Sequence, residues 1–240
     1  MAQVEASPRR SVDMIQSSDP ACITSPRHLA IANPVTAVGA ANGTYVRFVK
    51  PACDQLFAAF MLVVLSPIFL FTSIALRLTL GKGVFFRQER IGKNGVPFTV
   101  LKFRTMQADR RQASATVNSD RRKTHKSASD PRHTRLGRFL RATAIDELPQ
   151  FVNVLRGEMS VIGPRPELPI VVEKYQQWQH LRHDVRPGLT GLWQINERGN
   201  GEAMHDRVDV DLSYCDSVGF FTDLRILVAT PFAMLRARGE

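Results

Sequence analysis

Two adjacent carboxylates, Asp146 and Glu147, stand between an upstream arginine, Arg141, and a downstream proline, Pro149. Proline has no N–H and fits a helix only within its first turn. Apolar residues then recur at Leu148, Val152 and Leu155, at helical spacing. This pattern predicts a helix starting near Asp146, with the aspartate at or beside the N-cap. Free N–H groups and the helix dipole would keep a carboxylate ionised there, and the same end attracts phosphate. An ionised aspartate, a metal ligand at Glu147 and a nearby arginine are the equipment of phosphoryl transfer. The run also reads as nothing more than a capped helix start, so the rest of the chain has to decide.

A second chemical element is Gly163-Pro164-Arg165-Pro166. Two prolines stiffen the backbone around Arg165 and present its guanidinium from a fixed turn, which suits phosphate or carboxylate recognition. His180 and His183 form an H-x-x-H pair, but no other ligand pattern accompanies them, and a metal site there is not expected.

The elements that would position these groups begin with Leu56 to Leu76, which contains no charged residue. Its length fits a membrane helix, but Ser66-Pro67 lies near its middle, where proline breaks the hydrogen-bond ladder. Each arm is about ten residues, or ~15 Å of helix, roughly half the hydrocarbon thickness. Both flanks are basic: Arg47 and Lys50 before, Arg77, Lys82, Arg87 and Arg90 after. A spanning helix should show basic asymmetry. The expectation is therefore a re-entrant helix-break-helix hairpin that returns to the face it entered, with Ser66 offering its hydroxyl to a carbonyl freed by Pro67. A kinked single span and a buried core helix are the alternatives. Lys50 and Asp54, four apart on a helix, are expected to pair at the membrane surface.

From Gly83 to Met106 the pattern turns strand-like, and Asn94-Gly95 signals a β-hairpin. Lys102 and Arg104 place positive charge near its end. Residues 107–135 hold eight Lys or Arg against three Asp and read as a mobile basic loop. Leu136 to Arg141 resumes apolar periodicity. Leu168 to Leu181 is expected as an amphipathic helix, Leu192 to Ile195 as a short strand, Asp206 to Tyr214 as a helix and Asp223 to Arg236 as a last helix. Residues 1–44 are expected to be a mostly disordered tail, with a short helix near His28 to Ala32 as the alternative. The formal net charge of +10 points to an anionic partner: nucleic acid, lipid headgroups or a phosphorylated substrate. Cys22, Cys53 and Cys215 lie far apart, which argues against a disulfide framework. No apolar stretch closely follows Arg9-Arg10, so a twin-arginine signal is not expected.

Taken in order, K-x-x-x-D before the apolar run, F-x-Q-E-R-I-G (Phe86 to Gly92), K-F-R-T-M (Lys102 to Met106), D-E-L-P-Q (Asp146 to Gln150), N-V-L-R-G-E-M-S (Asn153 to Ser160), G-P-R-P-E (Gly163 to Glu167) and R-P-G-L-T-G (Arg186 to Gly191) resemble the bacterial sugar transferases, the monotopic polyprenyl-phosphate hexose-1-phosphate transferases. The resemblance covers about residues 47 to 235 and looks like the short, exopolysaccharide-initiating form. It implies an α+β, mostly helical monotopic membrane protein: a tail over 1–44, a re-entrant hairpin over 45–82 and a catalytic domain over 83–240. It implies transfer of sugar-1-phosphate from a UDP-sugar, with glucose or galactose the expected sugars, to undecaprenyl phosphate, with release of UMP. The place would be the bacterial inner membrane, with the catalytic domain facing the cytoplasm. Carried onto this chain, Asp146 is the nucleophile, and Glu147, with Asp146, holds Mg²⁺. Arg141, Arg165, Arg198, Lys102 and Arg104 meet phosphate, and Lys50, Asp54, Ser66 and Pro67 shape the hairpin. Inner-membrane lipid is an expected partner, nucleic acid is not, and a homo-oligomer stays open. Two positions depart from the family's habit: Ala144-Ile145 before the carboxylates, and Glu197 before Arg198. A nucleic-acid binder would explain the charge but not the apolar run, and no nucleic-acid motif is recognised. A catalytically silent membrane scaffold or regulator of the same fold remains the other reading.

Overall fold

The computed structural model describes residues 43–107, 132, 134–196 and 207–236. Expectations for the N-terminal tail, for nearly all of the basic loop over 107–135, and for Glu197 and Arg198 lie outside the described residues.

The apolar run forms two helices. A π-helical turn, Tyr45–Val49, leads directly into α1 (Lys50–Val64), and α2 (Ser66–Leu80) follows after a break at Leu65. The two arms are bent by 61°. Pro67 sits in the first turn of α2, where its missing N–H costs nothing. The carbonyl that a straight helix would have bonded to residue 67 is that of Val63, and the Ser66 hydroxyl donates to it at 2.8 Å. The proline break and its hydroxyl partner are thus where the sequence placed them. No single helix among the described residues is long and apolar enough to cross a membrane; the bent pair passes that test only together. One face of the pair is core, with Ala58 and Leu76 fully buried, while Phe60, Val63, Phe71 and Leu78 on other faces are exposed.

Strands β1 (Phe85–Ile91) and β2 (Pro97–Phe103) pair antiparallel, with Phe86 opposite Lys102 and Ile91 opposite Pro97. The tip is a 3₁₀ turn, Lys93–Gly95, in which Asn94 (φ 55°) and Gly95 (φ 75°) take left-handed conformations. That is the conformation Asn-Gly adopts at little cost. Phe103 and Leu140 of α3 (Arg135–Ala142) pack with Leu76 and Phe69 of α2. The larger core gathers Ala58 of α1, Val154 of α4 (Gln150–Leu155), Val161 and Ile162 of β3 (Ser160–Ile162), and Tyr214 and Ile226.

Strand β3 pairs in parallel with β4 (Gly188–Thr190), a pairing the short apolar runs did not announce. The chains approach so closely that a Cβ on Gly188 would lie 2.1 Å from the Gly163 nitrogen. The helix expected over Leu168 to Leu181 is instead α5 (Pro169–Val172) followed by a 3₁₀ segment, Gln177–Asp184. Gln176 adopts an extended conformation and closes a reciprocal cap with Gln179, which separates the two. The strand expected at Leu192 to Ile195 is helical, α6 (Leu192–Asn196); four residues, three of them apolar, carry too little periodicity to distinguish the two. The last described elements are α7 (Val208–Ser217) and α8 (Phe220–Arg236), close to the expected bounds.

Lys50 and Asp54 are buried rather than displayed at a surface. They lie 3.9 Å apart, while Lys50 Nζ is 2.6 Å from Asp223 on α8. Asp54 accepts hydrogen bonds from the Ser160 hydroxyl (2.6 Å) and the Val161 N–H (3.2 Å). The pair therefore clamps α1 to β3 and α8. Burying charge is tolerable here because every carboxylate involved has hydrogen-bond donors.

Candidate active site

Helix α3 is capped at its start by the Thr134 hydroxyl, which accepts from the Gly137 N–H. At its end Ala144 turns left-handed (φ 55°, ψ 17°), and Ile145–Glu147 forms one 3₁₀ turn. The bonds Glu147 N–H to Ala144 O and Leu148 N–H to Ile145 O close it. Helix α4 begins only at Gln150, with Pro149 as the residue before it. Asp146 is therefore not an N-cap. It is the middle residue of a tight turn, because the left-handed Ala144 reverses the chain before an α-helix can start. A non-glycine residue in that conformation costs about 1–2 kcal/mol, and such strain concentrates at functional positions.

The turn buries Asp146, and the aspartate is not dipole-stabilised as the spacing had suggested. Burial, then the neighbouring Glu147 charge, push its carboxyl up to about 6, against the pull of Lys102, Arg141 and Arg165. At neutral pH it is still mainly ionised. Glu147 behaves in the opposite way. Burial favours its neutral form, but Arg165 and Lys102 outweigh that and hold it well below the usual carboxylate range. Lys102 Nζ donates to Glu147 Oε1 at 2.7 Å and Arg165 Nη2 to the same oxygen at 3.1 Å. Burial lowers Lys102, and Glu147 partly restores it; the Glu147 charge raises Arg165. Two carboxylates side by side thus hold different roles. Glu147 is a fixed anion between two cations, and Asp146 is a more basic carboxylate with lone pairs to offer.

The structure brings together Asp146, Glu147, Lys102, Arg165 and, through its field on Asp146, Arg141. It does not bring Arg104 to them as a phosphate ligand. The Arg104 guanidinium donates to Leu80 O at 2.6 Å and closes the C-terminal end of α2. Among the described residues no group of three or more His, Cys, Asp or Glu is placed to hold a metal. Mg²⁺ needs only one or two carboxylates when phosphate oxygens complete its octahedron, and the Asp146-Glu147 pair, with Glu147 firmly ionised, suits that demand.

Two supporting residues escaped the sequence reading. Asn153, fully buried on α4, accepts from the Leu101 N–H (3.0 Å) and donates to Thr99 O (2.7 Å) and Glu158 (2.6 Å). It locks α4 onto β2 one residue before Lys102. Arg182, nearly inaccessible, donates to Arg165 O (2.7 Å) and Tyr175 Oη (2.6 Å) and pairs with Asp211 of α7. It fixes the backbone from which Arg165 reaches Glu147. No local spacing links residue 182 to residue 211. Asn153 did carry a signal, since it opens the N-V-L-R-G-E-M-S motif.

Comparison with known proteins places these residues in context. Residues 45–237 match the family described as bacterial sugar transferase. The chain is 41% identical over 190 residues to the uncharacterized sugar transferase EpsL of Bacillus subtilis (strain 168), spanning 79% of this chain and 89% of that protein. It is 40% identical over 198 residues to the exopolysaccharide production protein ExoY of Rhizobium meliloti (strain 1021), covering 80% and 87%. It is 39% identical over 193 residues to the UDP-glucose:undecaprenyl-phosphate glucose-1-phosphate transferase of Escherichia coli (strain K12), covering 78% of this chain but only 40% of that protein. The chain thus takes in most of the shorter relatives and less than half of the longer one, and the family match over residues 45–237 includes every element that carries the Asp146-Glu147 turn. The chain belongs to the bacterial sugar transferase family.

Proposed function

We propose that this protein transfers a hexose-1-phosphate from a UDP-sugar to undecaprenyl phosphate, in two steps through Asp146. The observation that carries the reading is the division of labour in the 145–147 turn: a basic, buried aspartate beside a glutamate clamped by Lys102 and Arg165. In the first step an Asp146 oxygen forms a bond to the sugar-bearing phosphorus. The bridging P–O bond of the diphosphate breaks, and UMP leaves with that electron pair. In the second, a lipid-phosphate oxygen attacks the same phosphorus, the bond to Asp146 breaks and the carboxylate is regenerated. Splitting the transfer avoids bringing two anionic substrates together at once.

Lys102, Arg141 and Arg165 offset charge on the transferred group, as preorganised cations do in a partly dry site. Burial that raises Asp146 also makes it a better nucleophile while leaving it ionised at neutral pH. Mg²⁺ bound at Glu147, with Asp146, would supply further charge neutralisation on the diphosphate. The bent helix pair would enter one leaflet of the inner membrane and return, keeping the turn at headgroup depth on the cytoplasmic side. Its exposed Phe60, Val63, Phe71 and Leu78 support that reading. The relatives named as glucose-1-phosphate transferases favour glucose, and a match to the galactosyl transferase CpsE of Streptococcus agalactiae keeps galactose as a donor to test.

The test is UMP release from a panel of UDP-sugars by the full chain in detergent, with and without undecaprenyl phosphate. A phosphosugar adduct mapped to Asp146 in the absence of lipid acceptor is the expected result. Turnover without such an adduct, or an adduct on another residue, refutes the two-step route.

A further inference from the structure

A cavity of about 320 Å³ lies away from the Asp146 turn, lined by Val46, Arg47, Lys50, Asp54, Lys93 and Arg186, among others. Lys93 sits at the tip of the β-hairpin and Lys102 near its other end. Strand rise alone separates the two ends of β2 by roughly 20 Å. The floor is internally satisfied. Lys50 is held by Asp223, and Asp54 by Ser160 and the Val161 N–H. The rim is different. Arg47, Lys93 and Arg186 arrive from three separate segments, and their side chains form no ion pair or hydrogen bond among the described residues. The carboxylates facing them are Asp54 on the floor and Asp184, which feels the Lys93 charge. Three cations converging on one hollow repel each other, and an anion seated among them relieves that repulsion.

The rim is also stiff. Lys93 sits in the hairpin tip beside the left-handed Asn94 and Gly95, and Arg186 precedes Pro187, so little backbone ordering is needed on binding. The volume is at the lower end for small-molecule sites, too small for a sugar nucleotide and adequate for a phosphorylated headgroup. The mouth adjoins aromatic surface. Arg47 lies over the exposed Phe48 ring, on the same helical turn as Tyr45. Tyr45 in turn meets Phe220, whose neighbour Phe221 is 82% exposed. Aromatic rings beside basic residues are the composition of a membrane–water boundary.

We propose that this cavity is a second anion site, taking the phosphate of a lipid headgroup between Arg47, Lys93 and Arg186. It is independent of the transfer reaction at Asp146. Phosphate chemistry is shared by lipid and free phosphate, and two arms of one experiment separate them. The full chain, purified in detergent, is titrated with phosphatidylglycerol or phosphatidylcholine and read by native mass spectrometry, and inorganic phosphate is titrated separately. The same titrations are run on Lys93→Gln/Arg186→Gln.

Phosphatidylglycerol should be retained in preference to phosphatidylcholine and bind about 30-fold more weakly to the double variant, at roughly one surface cation's worth per substitution. UMP release should be unchanged. Saturable inorganic phosphate binding lost in the same variant, without lipid preference, would identify a free-phosphate site at these residues. Equal binding of both lipids together with no phosphate binding, or anion binding unaffected by the substitutions, overturns the proposal. Arg47→Gln, at an exposed position, gives a second variant whose folding is not at issue, and Arg186→Lys should retain most of the binding.

Discussion

Replacing Asp146 by asparagine should abolish turnover and at the same time make the protein more stable, by an amount set by pH. The aspartate is raised from 3.8 to about 6 on folding, net of the attraction from Lys102, Arg141 and Arg165. At 1.36 kcal/mol per pH unit, that rise corresponds to about 3 kcal/mol. The sign follows from which state binds the proton more tightly, and here it is the folded state. Below the unfolded value near 3.8 both states are protonated and Asp146 carries no penalty. As pH rises from there to about 6 the unfolded chain ionises first, so stability falls; above about 6 the penalty is complete. Asparagine has the same shape and no charge to desolvate. The gain of Asp146→Asn over wild type should therefore be small near pH 4, about half its final size at pH 5 and level above pH 6. In thermal unfolding of a chain this size it amounts to roughly 6–12 °C at pH 7.5. The assay is matched thermal and denaturant unfolding in detergent across pH 4.5 to 8, alongside UMP release. A variant no more stable than wild type at pH 7.5, or a gain that does not change with pH, would show that Asp146 is not strained by burial. The account of its basicity would then fail.

Glu147→Gln should do the reverse, because it strands two partly buried cations, Lys102 and Arg165; a loss of about 3 kcal/mol is expected, with a raised Mg²⁺ requirement or no turnover, read by denaturation and metal titration. Its folded carboxyl is depressed, so wild-type stability from this group is present above about pH 4.5 and lost as pH falls below it. Ala144→Gly should stabilise by about 1 kcal/mol or less, since relief of the left-handed strain is offset by a freer unfolded chain; denaturant midpoints check this, and a loss would argue against strain at Ala144. Ser66→Ala/Pro67→Ala restores an N–H opposite Val63 O and should straighten the 61° bend; spin labels near Gly43 and Gly81 should move apart, and an unchanged separation would assign the bend to packing instead.

Parts of this molecule were legible because the physics behind them is local. Ser66-Pro67 acts within one helical turn, and Asn94-Gly95 needs only its own backbone preferences. That an antiparallel hairpin fills the stretch between Gly83 and Met106 followed from the same short-range signals. What the sequence concealed depends on contacts between distant segments. Lys50 and Asp54 stand one helical turn apart and invite reading as a local pair, yet the carboxylate nearest Lys50 is Asp223. The N-cap expected at Asp146 failed for a subtler reason. Pro149 does mark a helix start, but a single left-handed residue, Ala144, inserts a 3₁₀ turn ahead of it, and alanine gives no warning of that conformation.

Arg182 ties the position of Arg165 to a contact between distant segments. Its guanidinium satisfies Asp211, Tyr175 and the Arg165 carbonyl, so Arg182→Met alone should unfold the protein by leaving Asp211 charged, buried and unpaired, a cost of about 3–5 kcal/mol. That outcome would say nothing of positioning. Adding Asp211→Leu removes the stranded charge, and replacing a buried ion pair with apolar side chains is often neutral for stability. The double variant should therefore fold, yet the Arg165 carbonyl would remain untethered. If Arg182 serves the site through Arg165, the double variant will show a depressed kcat for UMP release with KM for the UDP-sugar little changed. Recovery of full turnover along with folding would mean that the Arg182 network builds the domain and leaves Arg165 to be positioned by its two prolines and Glu147 alone.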